Sequence, residues 1–187
     1  MGRSPTDTGF DHASFIEASS SIIEVPSTLN IKLTRSAIER PERKAGRLGL
    51  SVEEYVLDLL LRDLDLHERA QEFIEASKGL LDQAREELAK GNVRQAAEKL
   101  WGATALAIKA YAEWRDGRGL TSHGELWRYK DVVADELGEW VRDSWNAGNS
   151  MHTCFYEGWC TPRDVESSMT KVKRHVREVE GKISSHT

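Results

Sequence analysis

The chain has 187 residues, 30% of them charged, and a formal net charge of −5 at pH 7. This balance argues against a broad electrostatic surface for nucleic acid, because proteins with such surfaces usually carry a positive excess. No run approaches the roughly 18 apolar residues that a transmembrane helix needs.

The opening MGRSPTDTGFDHASF also lacks the apolar core of a secretory signal. We therefore expect a cytoplasmic protein with no membrane contact. The two cysteines, Cys154 and Cys160, are too few for a disulfide framework and have no zinc-type spacing. The prediction is accordingly that the protein holds neither a metal nor another cofactor.

The N-terminal third is predicted to be a tail and an arm. Residues 1–25 begin with a stretch rich in Ser, Thr, Gly and Asp, which is typical of a disordered tail. The arm, residues 26–64, starts with alternating polar and apolar side chains over 28–33, a pattern that predicts a short strand. A helix follows that stops at Gly49, and a Ser-x-x-Glu capping box opens a second helix over Ser51–Leu64.

Residues 65–187 are predicted to fold as a bundle of about five helices, which makes the protein all-α. Caps and glycine breaks divide this part into helices over 66–90, 93–115, 123–136 and 139–159, and a last helix from Pro162. The 93–115 helix is apolar on two adjacent faces, as a central helix packed by several neighbours is. Apolar residues in the last helix alternate at spacings of four and three, and this seam could pack inside the bundle or mediate a dimer.

The arm resembles the ribbon-helix-helix DNA-binding unit. It has that unit's order of strand, helix, Gly-x-Ser turn and helix, in the text LNIKLTRSAIERPERKAGRLGLSVEEYVLDLLL. In that family, strands from a dimer enter the major groove, so the resemblance implies that Thr28, Asn30 and Lys32 contact DNA bases. Pro41 departs from the pattern, because proline inside a helix costs about 3 kcal/mol. A helical hairpin that leads into the bundle is the alternative interpretation.

Two helix-borne histidines are the candidate site residues. In TSHGELW, His123 lies one helical turn before Trp127; in NAGNSMHTCFYEGW, His152 lies between Asn149 and Tyr156, each about one turn away. These five side chains could frame a ligand pocket between helices, and a histidine there could act as a general acid or base. Alternatively, both histidines only help to pack the bundle.

The combination QAAEKLWGAT, AIKAYAEW, SHGELW and WNAGNSMHTCFYEGW is similar to the archaeal PaREP family, a relative of the HEPN domains (higher eukaryotes and prokaryotes nucleotide-binding). The resemblance covers roughly residues 65–184. It implies an up-and-down helical bundle that is usually a homodimer. It also implies a nucleotide or RNA in an inter-helix cleft, and a role in toxin–antitoxin or defence systems or beside a nucleotidyltransferase partner.

Many HEPN proteins are metal-independent ribonucleases with an Arg four to six residues before a His on the late helix. His152 occupies the His position here, but the Arg position falls near Ala147. Arg142 is ten residues before His152, about 15 Å along a helix, and could reach it only from a two-fold partner. Arg118 and His123 have the expected spacing, but on a loop before a helix.

Three functional hypotheses result. The first is a HEPN-like module that binds a nucleotide or RNA near His123 and His152. The second is an endoribonuclease that uses His152 with Arg142 or Arg118, and the third is a DNA-binding regulator that acts through the arm.

Overall fold

The computed structural model describes residues 32–185, and this part of the chain contains seven α-helices and no strand. The residues from Thr34 onward form one compact unit. The helices are α1 (Arg35–Leu48), α2 (Val52–Leu60), α3 (Leu66–Ala89), α4 (Val93–Asp116), α5 (His123–Leu137), α6 (Trp140–Glu157) and α7 (Pro162–Ser184). The all-α prediction is confirmed. Over residues 32–185, every helix is too short or too polar to cross a membrane.

Local chemistry explains where the helices begin and end. The Ser51 side chain accepts a hydrogen bond from the backbone N–H of Glu54 and starts α2, as predicted. A reciprocal capping box at Asp65 starts α3. Gly49 ends α1 in the left-handed region, at a φ of 70°, which glycine adopts without steric cost. Only α2 differs clearly from its predicted bounds. It ends at Leu60, whereas the sequence predicts a helix that continues to Leu64.

Helix α4 is the centre of the bundle, as its two apolar faces indicate. Sixteen of its 24 residues are buried, and it packs against α3, α5, α6 and α7. The alternating seam of α7 lies inside the bundle, against α3, α4 and α6. Its buried apolar residues are Val165, Met169, Val172, Val176, Val179 and Ile183. The seam is therefore core, and the dimer alternative is not needed to cover it.

The predicted count of about five helices is wrong, because α1 and α2 also pack into the bundle. Ala45 of α1 and Leu61 after α2 belong to the same buried core as Trp101 of α4. In addition, Lys109 of α4 forms buried ion pairs with Glu54 and Asp58 of α2. These contacts join side chains about 50 residues apart, which a local pattern does not show.

The predicted strand over 28–33 is not found in the described part of the chain. Lys32 and Leu33 have no regular secondary structure. The remaining residues of that strand, with Thr28 and Asn30, lie outside the described residues, as does the predicted tail over 1–25. The helix that follows continues through Pro41 without a break.

Candidate functional site

The predicted site residues meet where the start of α5 and the second half of α6 pack against the first half of α4. His123 is the first residue of α5, and Ser122 caps that helix by accepting the backbone N–H of Glu125 at 3.3 Å. Gly49 lies directly beneath His123, since a Cβ at position 49 would be 3.1 Å from the His123 Cβ. The turn after α1 therefore packs closely against the histidine.

Trp101 of α4 contacts both histidines, and the three rings form a compact triangle. Its ring centroid is 4.9 Å from that of His123, with nearly parallel planes, and 4.9 Å from that of His152. The centroids of the two histidine rings are 5.8 Å apart. We call this group the histidine–tryptophan cluster; its members are Trp101, His123, Trp127, Trp145, His152 and Tyr156.

The cluster has a buried base and an exposed rim. Trp101 and Trp145 are fully buried, whereas Trp127 is 43% exposed and Tyr156 is 65% exposed. The Trp127 ring contacts the edge of Trp145 at a centroid distance of 5.6 Å, and Tyr156 contacts His152 edge-on at 5.1 Å. Trp127 thus packs on a buried neighbour and Tyr156 on the partly buried His152, while part of each ring remains in contact with solvent.

The two histidines of the cluster have polar neighbours, whereas the buried indole N–H groups of Trp101 and Trp145 have no hydrogen-bond partner among the described residues. Burial lowers the pKa of His123 below its ordinary value, and the neighbouring His152 lowers it further, while a hydrogen bond with Asn149 acts in the opposite direction. His123 is therefore neutral at neutral pH, with one ring nitrogen that donates and one that accepts. Nδ1 of His152 lies 3.4 Å from Oε2 of Glu98 on α4.

A pocket of about 250 Å³ adjoins the cluster at Tyr156 and Glu98, between α1, the start of α2, α4 and the end of α6. Carboxylates dominate its charged residues: Glu42, Glu53 and Glu98 line it. Among its described lining residues, Lys99 is the one cation, and its Nζ is paired with Glu53 at 2.9 Å. The pocket therefore favours hydrogen-bond donors over phosphate groups.

The structure brings all five predicted ligand-binding residues together, but it does not bring Arg142 to His152. Arg142 lies near the other end of α6, where it pairs with Asp131, with Asp135 at 3.4 Å and with Glu139 at 2.8 Å.

The other two predicted cations are Arg118 and Lys32. Arg118 is 3.8 Å from Glu125 and its side chain is 54% exposed. Lys32 is exposed. No group of three or more His, Cys, Asp or Glu within residues 32–185 is arranged to hold a metal ion.

Sequence reasoning missed three parts of the site. The two apolar faces of α4 do not show that Trp101 contacts both histidines, and no local pattern marks Glu98, because its partner His152 is 54 residues away. Cys154 and Cys160 form a disulfide that joins the end of α6, which carries Tyr156, to the segment before α7. Their separation of six residues was the one available signal for this bond.

These observations define an all-helical bundle with a histidine–tryptophan cluster between α4, α5 and α6. The chain belongs to the archaeal PaREP1/PaREP8 family, whose model matches residues 72–176, more than half of the chain. The matched span includes every member of the cluster. No curated protein and no solved structure matches the chain significantly.

Proposed function

We propose that the protein is a HEPN-like module that binds a nucleotide or RNA, and that the histidine–tryptophan cluster contacts the base. The observation that supports this proposal is the exposed rim of the cluster. The rings of Trp127 and Tyr156 offer faces for stacking, which contributes about 1–3 kcal/mol per base in single-strand binding. His123, His152 and Glu98 offer a donor and acceptors for the edges of a base or for ribose hydroxyls.

Neither Lys99 nor Arg142 is available to assist cleavage beside His152. A ribonuclease reaction needs a cation that offsets the charge of the phosphate in the transition state. Lys99 is engaged with Glu53, and Arg142 is held by three carboxylates on α5 and at the α5–α6 junction. A ligand whose base contacts the cluster and whose phosphates remain in solvent avoids the carboxylates of the pocket.

Calorimetric titration with uridine, adenosine, their 5′-monophosphates and a five-nucleotide RNA tests this proposal. We expect Trp127→Ala and Tyr156→Ala each to weaken binding at least fivefold, in line with the loss of one stacking contact. Trp159→Ala is the matched control, because Trp159 is 50% exposed and is not part of the cluster. Equal losses in all three variants, or no binding by the wild type, would contradict the proposal.

Incubation of labelled RNA with the wild type in EDTA separates binding from cleavage. We expect intact RNA. Cleavage that disappears in His152→Ala would instead support the endoribonuclease hypothesis.

The remaining expectations stay predictions. A homodimer, a nucleotidyltransferase partner and a toxin–antitoxin or defence role come from the resemblance alone. DNA binding through Thr28, Asn30 and Lys32 depends on a strand of which the described part contains only its last two residues, in no regular structure.

A further inference from the structure

A second concave surface lies between α1 and α2, with a volume of about 550 Å³. We call it the α1–α2 groove. Four of its lining residues are cationic, namely Arg40, Arg43, Lys44 and Arg47, and none is acidic. Tyr55 of α2 lies on the opposite wall, and the rest of the lining is apolar. The groove therefore combines a row of positive charges with an aromatic ring.

The positive charge of the groove is concentrated on one helix. α1 contains five basic and two acidic residues, a net charge of +3, although the whole chain carries −5. Arg43 is 3.5 Å from Glu39, but Arg40, Lys44 and Arg47 form no ion pair with any residue between 32 and 185. All four side chains are exposed. Their charges are available to a ligand, because no carboxylate of the groove neutralises them.

The spacing of the cations fits a polymer of regularly placed anions. Positions 40, 43 and 44, and 47 lie on successive turns of α1, which places a positive charge about every 5 Å along the helix. Single-strand-binding proteins combine a cationic groove that follows the phosphates with aromatic rings that stack on bases. A lipid bilayer is the less suitable anionic ligand, because its flat surface does not enter a concave groove.

We propose that the α1–α2 groove binds single-stranded nucleic acid, with the α1 cations on the phosphates and Tyr55 against a base. This site is separate from the histidine–tryptophan cluster. The pocket beside the cluster is lined by other residues of α1, namely Glu42, Ala45 and Gly46, and shares no lining residue with the groove. The proposal therefore holds whether or not the cluster binds a nucleotide.

Fluorescence anisotropy with fluorescein-labelled 15-nucleotide oligo(U) and oligo(dT), from 0.1 to 0.5 M NaCl, tests the role of the cations. The test variant is Arg40→Gln/Lys44→Gln/Arg47→Gln. The control is Lys171→Gln/Lys173→Gln/Arg177→Gln, which makes the same charge change at exposed positions of α7.

Each phosphate contact to a single strand contributes about 0.7 to the slope of log K against log salt. We expect the test variant to lose about 2 from that slope and to bind about 100-fold more weakly at 0.1 M. The control should remain within about threefold of the wild type, because its three charges lie outside the groove.

Tyr55 gives a second, salt-independent measurement. We expect Tyr55→Leu to weaken binding at least fivefold without changing the salt slope, and Tyr55→Phe to retain it, because stacking needs the ring and not the hydroxyl. Trp159→Ala, which removes an exposed aromatic ring outside both the groove and the cluster, should not change binding in the same assay. Thermal unfolding of each variant verifies that it is folded.

Three results would overturn the proposal. The first is no oligonucleotide binding at 0.1 M NaCl, and the second is an equal loss in the test and control variants. The third is tighter, groove-dependent binding of a 15-base-pair duplex, of poly-glutamate or of phosphatidylglycerol vesicles. That outcome would assign the groove to another anion.

Discussion

The buried ion pairs of Lys109 allow the sharpest prediction about stability. Lys109 is 1% exposed, and its Nζ lies 3.0 Å from Glu54 and 2.6 Å from Asp58. At an effective dielectric constant of about 20, each attraction amounts to about 5–6 kcal/mol, against which the cost of burying the charges must be set. Lys109→Met keeps most of the side-chain volume but leaves the Glu54 carboxylate buried without a counter-charge. We expect a loss of about 3–5 kcal/mol in the free energy of unfolding.

The loss should depend on pH. Burial already raises the pKa of Glu54, with Lys109 acting in the opposite direction, so removal of Lys109 raises this pKa further. A carboxyl group whose pKa is higher in the folded state than in the unfolded state destabilises the fold as the pH rises above the unfolded value. The variant should therefore be closer to the wild type at pH 5 than at pH 8.

Urea unfolding followed by circular dichroism at pH 5 and pH 8 measures both effects. The double variant Lys109→Met/Glu54→Gln removes the orphaned charge and should recover at least half of the loss at pH 8. A loss below about 1 kcal/mol for Lys109→Met, far under the expected range, would refute the reasoning. A double variant no more stable than Lys109→Met would refute it as well.

Three further predictions concern α6 and α7. Gly148→Ala should destabilise the fold by about 1–3 kcal/mol, since the new Cβ would lie 2.3 Å from Oγ1 of Thr104. Gly79→Ala is the control in the same thermal unfolding experiment, and it should not destabilise the fold because the space around Gly79 is open. His175 is fully buried, both ring nitrogens lack a hydrogen-bond partner among the described residues, and burial lowers its pKa to about 4. The neutral imidazole is tolerated above pH 6.5, but the fold becomes less stable as the pH falls towards 4 because the unfolded chain binds a proton that the folded chain does not. Between pH 7 and pH 4, the free energy of unfolding of the wild type should therefore fall by about 3 kcal/mol more than that of His175→Leu, as measured by urea unfolding. Equal acid sensitivity of the two proteins would contradict this. Arg142→Gln should leave RNA binding within twofold of the wild type, because the guanidinium is paired away from the cluster, and a tenfold loss by calorimetry would show that Arg142 does reach the ligand.

The sequence by itself predicts the helices from α1 onward and their order, because the signals that mark helix ends and apolar faces are local. Ser51, Asp65 and Thr161 start helices through hydrogen bonds that span two or three residues. The two apolar faces of α4 and the four-three spacing in α7 likewise follow from a period of 3.6 residues per turn. His123 and His152 were singled out by neighbours one turn away on their own helices.

Only the tertiary structure decided which of these side chains meet. The contact of Trp101 with both histidines, the pairing of Glu98 with His152 and the pairing of Lys109 with Glu54 each join residues on different helices. Such contacts depend on the rotation and offset of packed helices. That arrangement is set by the close packing of the whole core and not by the sequence within one or two turns.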